Sequence, residues 1–300
     1  VTYLAALPMA FVEKKGKNKL RGWVLAGAIL SNLAVLFLFK YYNFFVENLA
    51  ALSQNRLLLP LFNYALPVGI SFYTFQALGY AIDVYRKDIA AEKNLITYAL
   101  FISFYPQLVA GPIERSTNLM PQIKQGTHFS FENMRAGLLL MGWGMFQKLV
   151  IADRLALFVD TVYQDYAQMD GAYLILATIL FALQIYCDFG SYSNIARGAA
   201  QVMGYRLMVN FNTPYFSKSF AEYWSRWHIS LSTWFQDYIF EPVVWRMKNK
   251  KVAAYLAVLL VFFVSGFWHG ASWTYVIWGL LHAFFRVSEM ALRHPKKKLY

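Results

Sequence analysis

Long apolar segments dominate this sequence and limit the folds that are open to it. A helix rises about 1.5 Å per residue, so about 20 apolar residues cross the hydrocarbon of a bilayer. The longest apolar segments are Trp23–Phe45, Leu57–Tyr85, Arg135–Val159, Gly171–Phe189, Val252–Gly266 and Ala271–Phe285. With 58% hydrophobic and only 15% charged residues, the chain is unlike a soluble domain. The pattern predicts an all-α polytopic membrane protein, with one domain over residues 1–300.

Charges between these segments predict which loops face the cytoplasm, because cytoplasmic loops are enriched in Lys and Arg. Glu13–Arg21 holds five basic residues and residues 190–251 hold eight, so both are expected inside. Asp160–Asp170 holds three aspartates and no Lys or Arg, which indicates an outside loop. The loops can alternate between inside and outside along the chain only if the short apolar run Leu95–Val109, which leads to Gly111, does not cross the membrane. We therefore expect this run to be a re-entrant segment.

Composition also limits the kinds of partner and the kinds of chemistry that can be expected. A net charge of +12 in an apolar chain points to anionic lipid heads, and no nucleic-acid interface is expected. The one cysteine, Cys187, excludes an intrachain disulfide and is read as a buried small residue. No spacing of metal ligands occurs, so no metal is predicted. The chain begins at Val1 within apolar residues, and we expect it to be a portion of a longer protein.

Local features refine three of the segments. Pro60 and Pro67 predict a kink or a late helix start within Leu57–Tyr85. Lys40, near the end of its apolar run, is expected to snorkel beside tyrosines. Aromatic and apolar residues recur at helical spacing across Phe220–Val244, which predicts one amphipathic helix lying at the interface. Its apolar face would comprise Trp224, Trp227, His228, Leu231, Trp234, Phe235 and Tyr238.

Two histidines are the candidate catalytic residues. His269 lies in Gly266-Phe-Trp-His-Gly270, between the last two apolar segments, and His228 lies on the apolar face just described. A histidine in a membrane interior is costly and suggests function, and a neutral imidazole can take a proton from a hydroxyl. Simple packing remains the alternative for both. His282, inside a regular apolar segment, is predicted to be a packed histidine.

Four ordered motifs carry a resemblance to a known family. They are Val109–Arg115, Tyr186–Ser193, Arg226–Ser232 and Gly266–Gly270. In this order they resemble the membrane-bound O-acyltransferases, most closely the branch that O-acetylates alginate, with the teichoic acid D-alanyl transfer proteins as near relatives. The likeness extends from about Phe39 to Ala283. Two departures stand out: Asn194 replaces the final aspartate of the second motif, and Gln236 stands where an arginine is common.

The resemblance implies a ring of tilted helices around a central tunnel, in a chain that lacks the family's first and last helices. It implies His269 as the general base and His228 as a second tunnel histidine. Supporting positions follow from the motifs: Asp188, Arg115, Trp268, Trp227 and Arg226.

Acyl transfer is the function that the resemblance implies, from a cytoplasmic thioester to an extracytoplasmic hydroxyl in the bacterial inner membrane. No cofactor would be bound, because acetyl-CoA or an acyl carrier protein would be the donor substrate. The acceptor would be a polysaccharide or a relay partner protein, such as an extracytoplasmic acetyltransferase. The alternatives are D-alanyl transfer to teichoic acid, a transporter or channel with His269 as proton relay, and an inactive scaffold. The scaffold predicts that histidine replacements are silent.

Overall fold

The structure is a computed structural model that describes residues 1–14, 18–54, 59–62 and 64–292. Over these residues all regular structure is helical, which confirms the all-α prediction. The α-helices are α1 (Thr2–Lys14), α2 (Asn18–Leu36), α3 (Tyr42–Leu52), α4 (Ile70–Arg86), α5 (Leu95–Ile102), α6 (Ser116–Gln125), α7 (Phe131–Phe146), α8 (Asp153–Gln164), α9 (Gly171–Val202), α10 (Phe220–Arg226), α11 (Ile229–Phe235), α12 (Glu241–Arg246), α13 (Lys250–His269) and α14 (Trp273–Leu292).

Three π-helical segments join consecutive helices without a loop. They lie at Phe37–Tyr41, Gln147–Ala152 and Gln236–Phe240. Single-turn π segments change the register of the side chains that follow and are common at functional sites. Two of these segments contribute residues to the sites described below, namely Lys40 and Gln147.

Three helical stretches are long and apolar enough to cross a bilayer: Lys19–Leu52, Gly171–Val202 and Lys250–His269. The first joins α2 and α3 through the π segment and contains the predicted span Trp23–Phe45. The predicted late start is also confirmed, because α4 begins only at Ile70. The helix α5, with 8 residues, is too short to cross, as expected of Leu95–Val109. The ring and the tunnel stay predictions.

The described chain divides into two compact units. One comprises Val1–Leu95 and the chain from Asn212 onward, and the other comprises Ile96–Phe211. In the first unit α1, α2 and α4 pack on one another, and α13 packs along α14. In the second unit α7 and α8 pack against α9. The prediction of a single domain stays a prediction.

Glycines allow the closest helix contact of the first unit. A methyl group on Gly266 of α13 would overlap the backbone carbonyl of Tyr275, and one on Gly279 of α14 would overlap that of Phe262. Small residues at such crossings let two backbones touch, which is the common way to pack membrane helices. The crossing therefore ties the end of α13, where His269 lies, directly to α14.

The helix α9 contains the predicted apolar segment Gly171–Phe189 and continues to Val202 through the second family motif, giving 32 residues. Two sequence predictions about local structure are wrong. Residues 160–164 belong to α8, so the predicted outside loop Asp160–Asp170 begins as a helix. Residues 220–244 do not form one helix, because the backbone of His228 is left-handed, with φ of 43°, and separates α10 from α11. The hydroxyl of Ser232 donates to the carbonyl of Trp227, an acceptor that this break frees.

Candidate active site

The candidate base, His269, is the last residue of α13. The following residue, Gly270, is extended, and α14 begins at Trp273, so the predicted break between the two apolar segments is confirmed. A methyl group on Gly270 would overlap the ring of Tyr275, which explains the need for a glycine. His269 is exposed in the described structure. An exposed side chain at a helix end is accessible to a substrate.

His228 differs from His269 because it is buried, with 2% of its surface exposed. It caps the start of α11 in a left-handed conformation that few residues other than glycine adopt. Burial, and secondarily the nearby His269, lower the pKa of His228 to about 3. The imidazole is therefore neutral at pH 7, the state in which it can accept a hydrogen bond or a proton.

Trp268 joins the two histidines. Its ring centre lies 6.2 Å from that of His228 and 4.8 Å from that of His269. The side chain is 7% exposed, and its indole N–H has no hydrogen-bond partner among the described residues. A buried donor left unsatisfied is costly and needs an explanation. Trp268, predicted only as a supporting residue, is thus the centre of the cluster.

Lys40 is a residue of this site that sequence reasoning missed. It lies in the π segment Phe37–Tyr41, and its ammonium donates to the hydroxyl of Ser71 and to the backbone carbonyl of Trp268. It does not simply snorkel beside tyrosines, although it lies 5.7 Å from the ring centre of Tyr41. The available signal was a lone cation in an apolar run, which is a functional-site hypothesis by default.

Aromatic rings line the far side of His269. Trp278 of α14 lies 5.2 Å from His269 and 4.5 Å from His282, measured between ring centres. His282 also contacts Trp224 at 5.1 Å and Phe262 at 6.1 Å. These contacts match the prediction that His282 is a packed histidine.

A cavity of about 340 Å³ runs along α13 in the same unit. Its α13 wall extends from Val258 to Ser265, one helical turn before His269. Most of its remaining lining is apolar or hydroxylic, and Arg286 is the charged residue on its wall. We refer to it as the α13 cavity.

Trp227 and Arg226 lie at the end of α10 and do not share the ring contacts of Trp268. Trp227 stacks on Tyr223 at 5.7 Å, and Arg226 forms a salt bridge of 2.6 Å with Glu222. The backbone carbonyl of Arg226 also accepts a hydrogen bond from the amide of Asn212. The supporting roles of Trp227 and Arg226 stay predictions.

Asp188 and Arg115 belong to the second unit. Asp188 forms a salt bridge with Lys148, with 2.5 Å between the ammonium and the carboxylate. Lys148 also binds Asp153 at 2.9 Å, since the π segment Gln147–Ala152 brings residues five apart onto one face. Arg115 precedes α6, directly after the buried Glu114. Cys187 is buried and free, as predicted.

Helices long enough to span a bilayer, with two histidines packed on one tryptophan, define a membrane protein with a histidine site. A model of the membrane-bound O-acyltransferase family matches residues 30–295. Since this match covers most of the chain, the protein belongs to the membrane-bound O-acyltransferase family.

Three relatives illustrate the range of the family. A probable alginate O-acetylase AlgI of Pseudomonas syringae pv. tomato is 39% identical over 272 residues, covering 90% of this chain and 52% of the relative. A peptidoglycan O-acetyltransferase of Helicobacter pylori is 30% identical, covering 99% and 60%. A teichoic acid D-alanyltransferase of Bacillus subtilis is 29% identical, covering 87% and 67%. The chain spans about half the length of the alginate O-acetylases that it matches.

Proposed function

We propose that this protein is a membrane O-acyltransferase that moves an acyl group, acetyl by preference, from a cytoplasmic thioester to a hydroxyl outside the membrane. Family membership and the names of the relatives support acyl transfer. The observation that carries the proposal is the packing of both His269 and His228 against the ring of Trp268. The donor is acetyl-CoA or an acyl carrier protein thioester, and the acceptor is an extracellular polysaccharide or a relay partner protein.

His269 acts as the general base. Its imidazole takes the proton of the acceptor hydroxyl while the oxygen attacks the thioester carbonyl, and the carbonyl oxygen becomes an oxyanion. The C–S bond then breaks, and the imidazolium returns the proton to the leaving thiolate. General-base help of this kind is typically worth roughly 10²–10⁴ in rate.

Trp268 supplies the donor for the oxyanion. Its indole N–H is buried and without a partner in the described chain, beside the base. A preorganised donor of this kind stabilises charge that develops only in the transition state. This role explains why the protein keeps a buried N–H group without a hydrogen-bond partner, although such a group lowers the stability of the fold.

Lys40 and His228 position the reacting groups. Lys40 holds the carbonyl of Trp268, which fixes the backbone immediately before His269. Neutral His228 also packs against Trp268, and the donor thioester passes beside it. The α13 cavity ends one turn from His269 and offers the donor an apolar route to the base.

Acetyl is favoured over D-alanyl by the same cavity. A D-alanyl thioester carries an ammonium group, which would need a carboxylate partner in an apolar environment. Among the described residues neither Asp nor Glu lines the α13 cavity, and its charged residue, Arg286, already pairs with Glu289. An uncharged acetyl group has no such requirement.

The full-length enzyme in nanodiscs, with radiolabelled acetyl-CoA and an added polyuronate, tests the proposal. We expect His269→Ala to lower label transfer by at least ~10²-fold, in line with the loss of a general base. His128→Ala, an exposed loop histidine, is the matched control and should transfer at the wild-type rate. Wild-type transfer by His269→Ala would remove this histidine from the mechanism. If no variant transfers from acetyl-CoA, an acyl carrier protein thioester is tested in its place.

A further inference from the structure

A second cavity, of about 280 Å³, lies within the second unit, between α7, α9 and the residues after α9. Its polar wall comprises Gln147, Ser193, Asn194, Arg197 and Asn210. We call it the Arg197 cavity. It shares no residue with the α13 cavity or with the histidine cluster.

Arg197 has no ion pair and no hydrogen bond within the described part of the chain, and its Nε atom is buried without a partner. Asp188 and Asp153 both bind Lys148, and Glu114 accepts hydrogen bonds from Met208 and Asn118. A partly buried arginine without a counter-ion carries an uncompensated charge, which is costly. Such a residue suggests a bound anion.

Other polar side chains of the cavity also favour the binding of a ligand. Ser193 is 2% exposed, and its hydroxyl has no partner among the residues described. Gln147, 6% exposed, accepts a hydrogen bond of 2.8 Å from Asn194, which fixes both amides. Of the residues that the structure describes, neither Asp nor Glu lines this cavity, so the charge of its described lining is that of the single guanidinium.

Position along α9 indicates where the anion would come from. The helix is about 48 Å long at 1.5 Å per residue, whereas the hydrocarbon core of a bilayer is about 30 Å thick. Arg197 lies about 39 Å from the start of α9 at Gly171, five residues before its end at Val202. A helix that long extends into the headgroup layer, where the abundant singly charged group is a phosphodiester.

We propose that the Arg197 cavity binds a singly charged phosphodiester, with the guanidinium of Arg197 and the hydroxyl of Ser193 as donors. The planar fork of arginine matches phosphate oxygens, and one cation matches one negative charge. Trp143, Val209 and Phe211 on the same wall suit the apolar part of the ligand. The phosphodiester belongs either to a phospholipid headgroup or to an acyl carrier protein, whose phosphopantetheine arm is attached through a phosphodiester. The site does not depend on acyl transfer.

Thermal unfolding of the full-length protein in maltoside detergent tests the site, with titrated dihexanoyl phosphatidylglycerol as the lipid probe and an acetylated acyl carrier protein as the donor probe. A ligand that binds only the folded state raises the midpoint as its concentration passes Kd. Dihexanoylglycerol, which has the same tails and no phosphate, is the control ligand. We expect one of the two phosphate probes to raise the midpoint and dihexanoylglycerol to leave it unchanged.

Variants assign the effect to Arg197. Arg197→Gln should raise the concentration for half-maximal shift at least tenfold. Asn194→Asp should do the same, because a carboxylate three residues before Arg197 on α9 would pair with it. Arg154→Gln, an exposed arginine of the same unit, should behave as wild type. Cys187 lines the cavity, so the effective probe should also slow its modification by N-ethylmaleimide, measured by peptide mass spectrometry.

Each outcome of the titrations leads to a different conclusion. A shift with phosphatidylglycerol alone assigns the phosphodiester to lipid, and one with the acetylated acyl carrier protein alone assigns it to the donor. Equal shifts in wild type, Arg197→Gln and Asn194→Asp would overturn the proposal. No shift with either phosphate probe, or an equal shift with dihexanoylglycerol, would overturn it too.

Discussion

Lys40 donates a hydrogen bond to the backbone carbonyl of Trp268, the residue immediately before His269. The two partners are 228 residues apart in the sequence. The bond links the first long apolar stretch, Lys19–Leu52, to the end of α13. The donor carries a positive charge and the surroundings are largely apolar, and both conditions strengthen a hydrogen bond.

We expect Lys40→Met to lower transfer by ~10–100-fold, because losing a hydrogen bond from a charged group costs about 1.5–3 kcal/mol. The loss should appear in kcat, since Lys40 positions the base and does not bind the donor. Lys40→Arg should recover part of the rate because it retains a charged donor. Lys19→Met, exposed in the same helical stretch, is the control. A wild-type rate for Lys40→Met would show that the bond has no part in catalysis.

Trp268→Phe should lower kcat by roughly 10²–10³, the usual effect of removing one oxyanion donor, with little change in KM for the donor. Phenylalanine keeps an aromatic ring between the histidines but has no N–H. Trp245→Phe is the matched control, because Trp245 is 64% exposed. Steady-state kinetics in nanodiscs measure both constants. An increase in KM alone would mean that the indole serves only to bind the donor.

Sequence reasoning predicted the apolar helices and the break at Gly270 because both depend on local patterns. Hydrophobic length marks a candidate span, and a glycine beside a histidine between two apolar segments marks a break. The candidate site rested on the same local signals together with the motifs. These signals identify His228, Trp268 and His269 as candidates, but they do not show that the three side chains lie close together.

The features that were missed depend on tertiary contacts. Helical periodicity across residues 220–244 predicts one helix, but burying His228 requires a left-handed residue that no pattern reveals. The π segment before Asp153 changes the register, so Lys148 and Asp153 pair at a spacing that an α-helix would not allow. The role of Lys40 depends on a partner more than 200 residues away.

Gly266→Ala should destabilise the protein by about 1–3 kcal/mol, the usual cost of overpacking, because the new methyl group would overlap the carbonyl of Tyr275. Transfer should fall as well, since α13 carries His269. Gly142→Ala, a helical glycine with open space around it, should be neutral or stabilising. Thermal unfolding in detergent compares the three proteins. Equal midpoints for wild type and Gly266→Ala would contradict the close crossing of α13 and α14.

Glu114 should make stability depend on pH. Burial raises its pKa to about 7, against the opposing hydrogen bonds from Met208 and Asn118. The protonated form is favoured in the fold, so this contribution is present at low pH and is lost as pH rises through 7. Between pH 6 and 8 the loss is about 1 kcal/mol. Unfolding midpoints at the two pH values should differ more for wild type than for Glu114→Gln, and an equal difference would show that Glu114 does not titrate here.

Sidedness of transfer tests the central claim most directly. Full-length protein is reconstituted in liposomes with radiolabelled acetyl-CoA enclosed, and a polyuronate is added outside. We predict that label appears on the external polysaccharide with wild type and with His128→Ala, and not with His269→Ala. Label that stays inside with every protein, while the same proteins acetylate polysaccharide in nanodiscs, would contradict transfer across the membrane. Equal external label from wild type and His269→Ala would contradict the histidine mechanism.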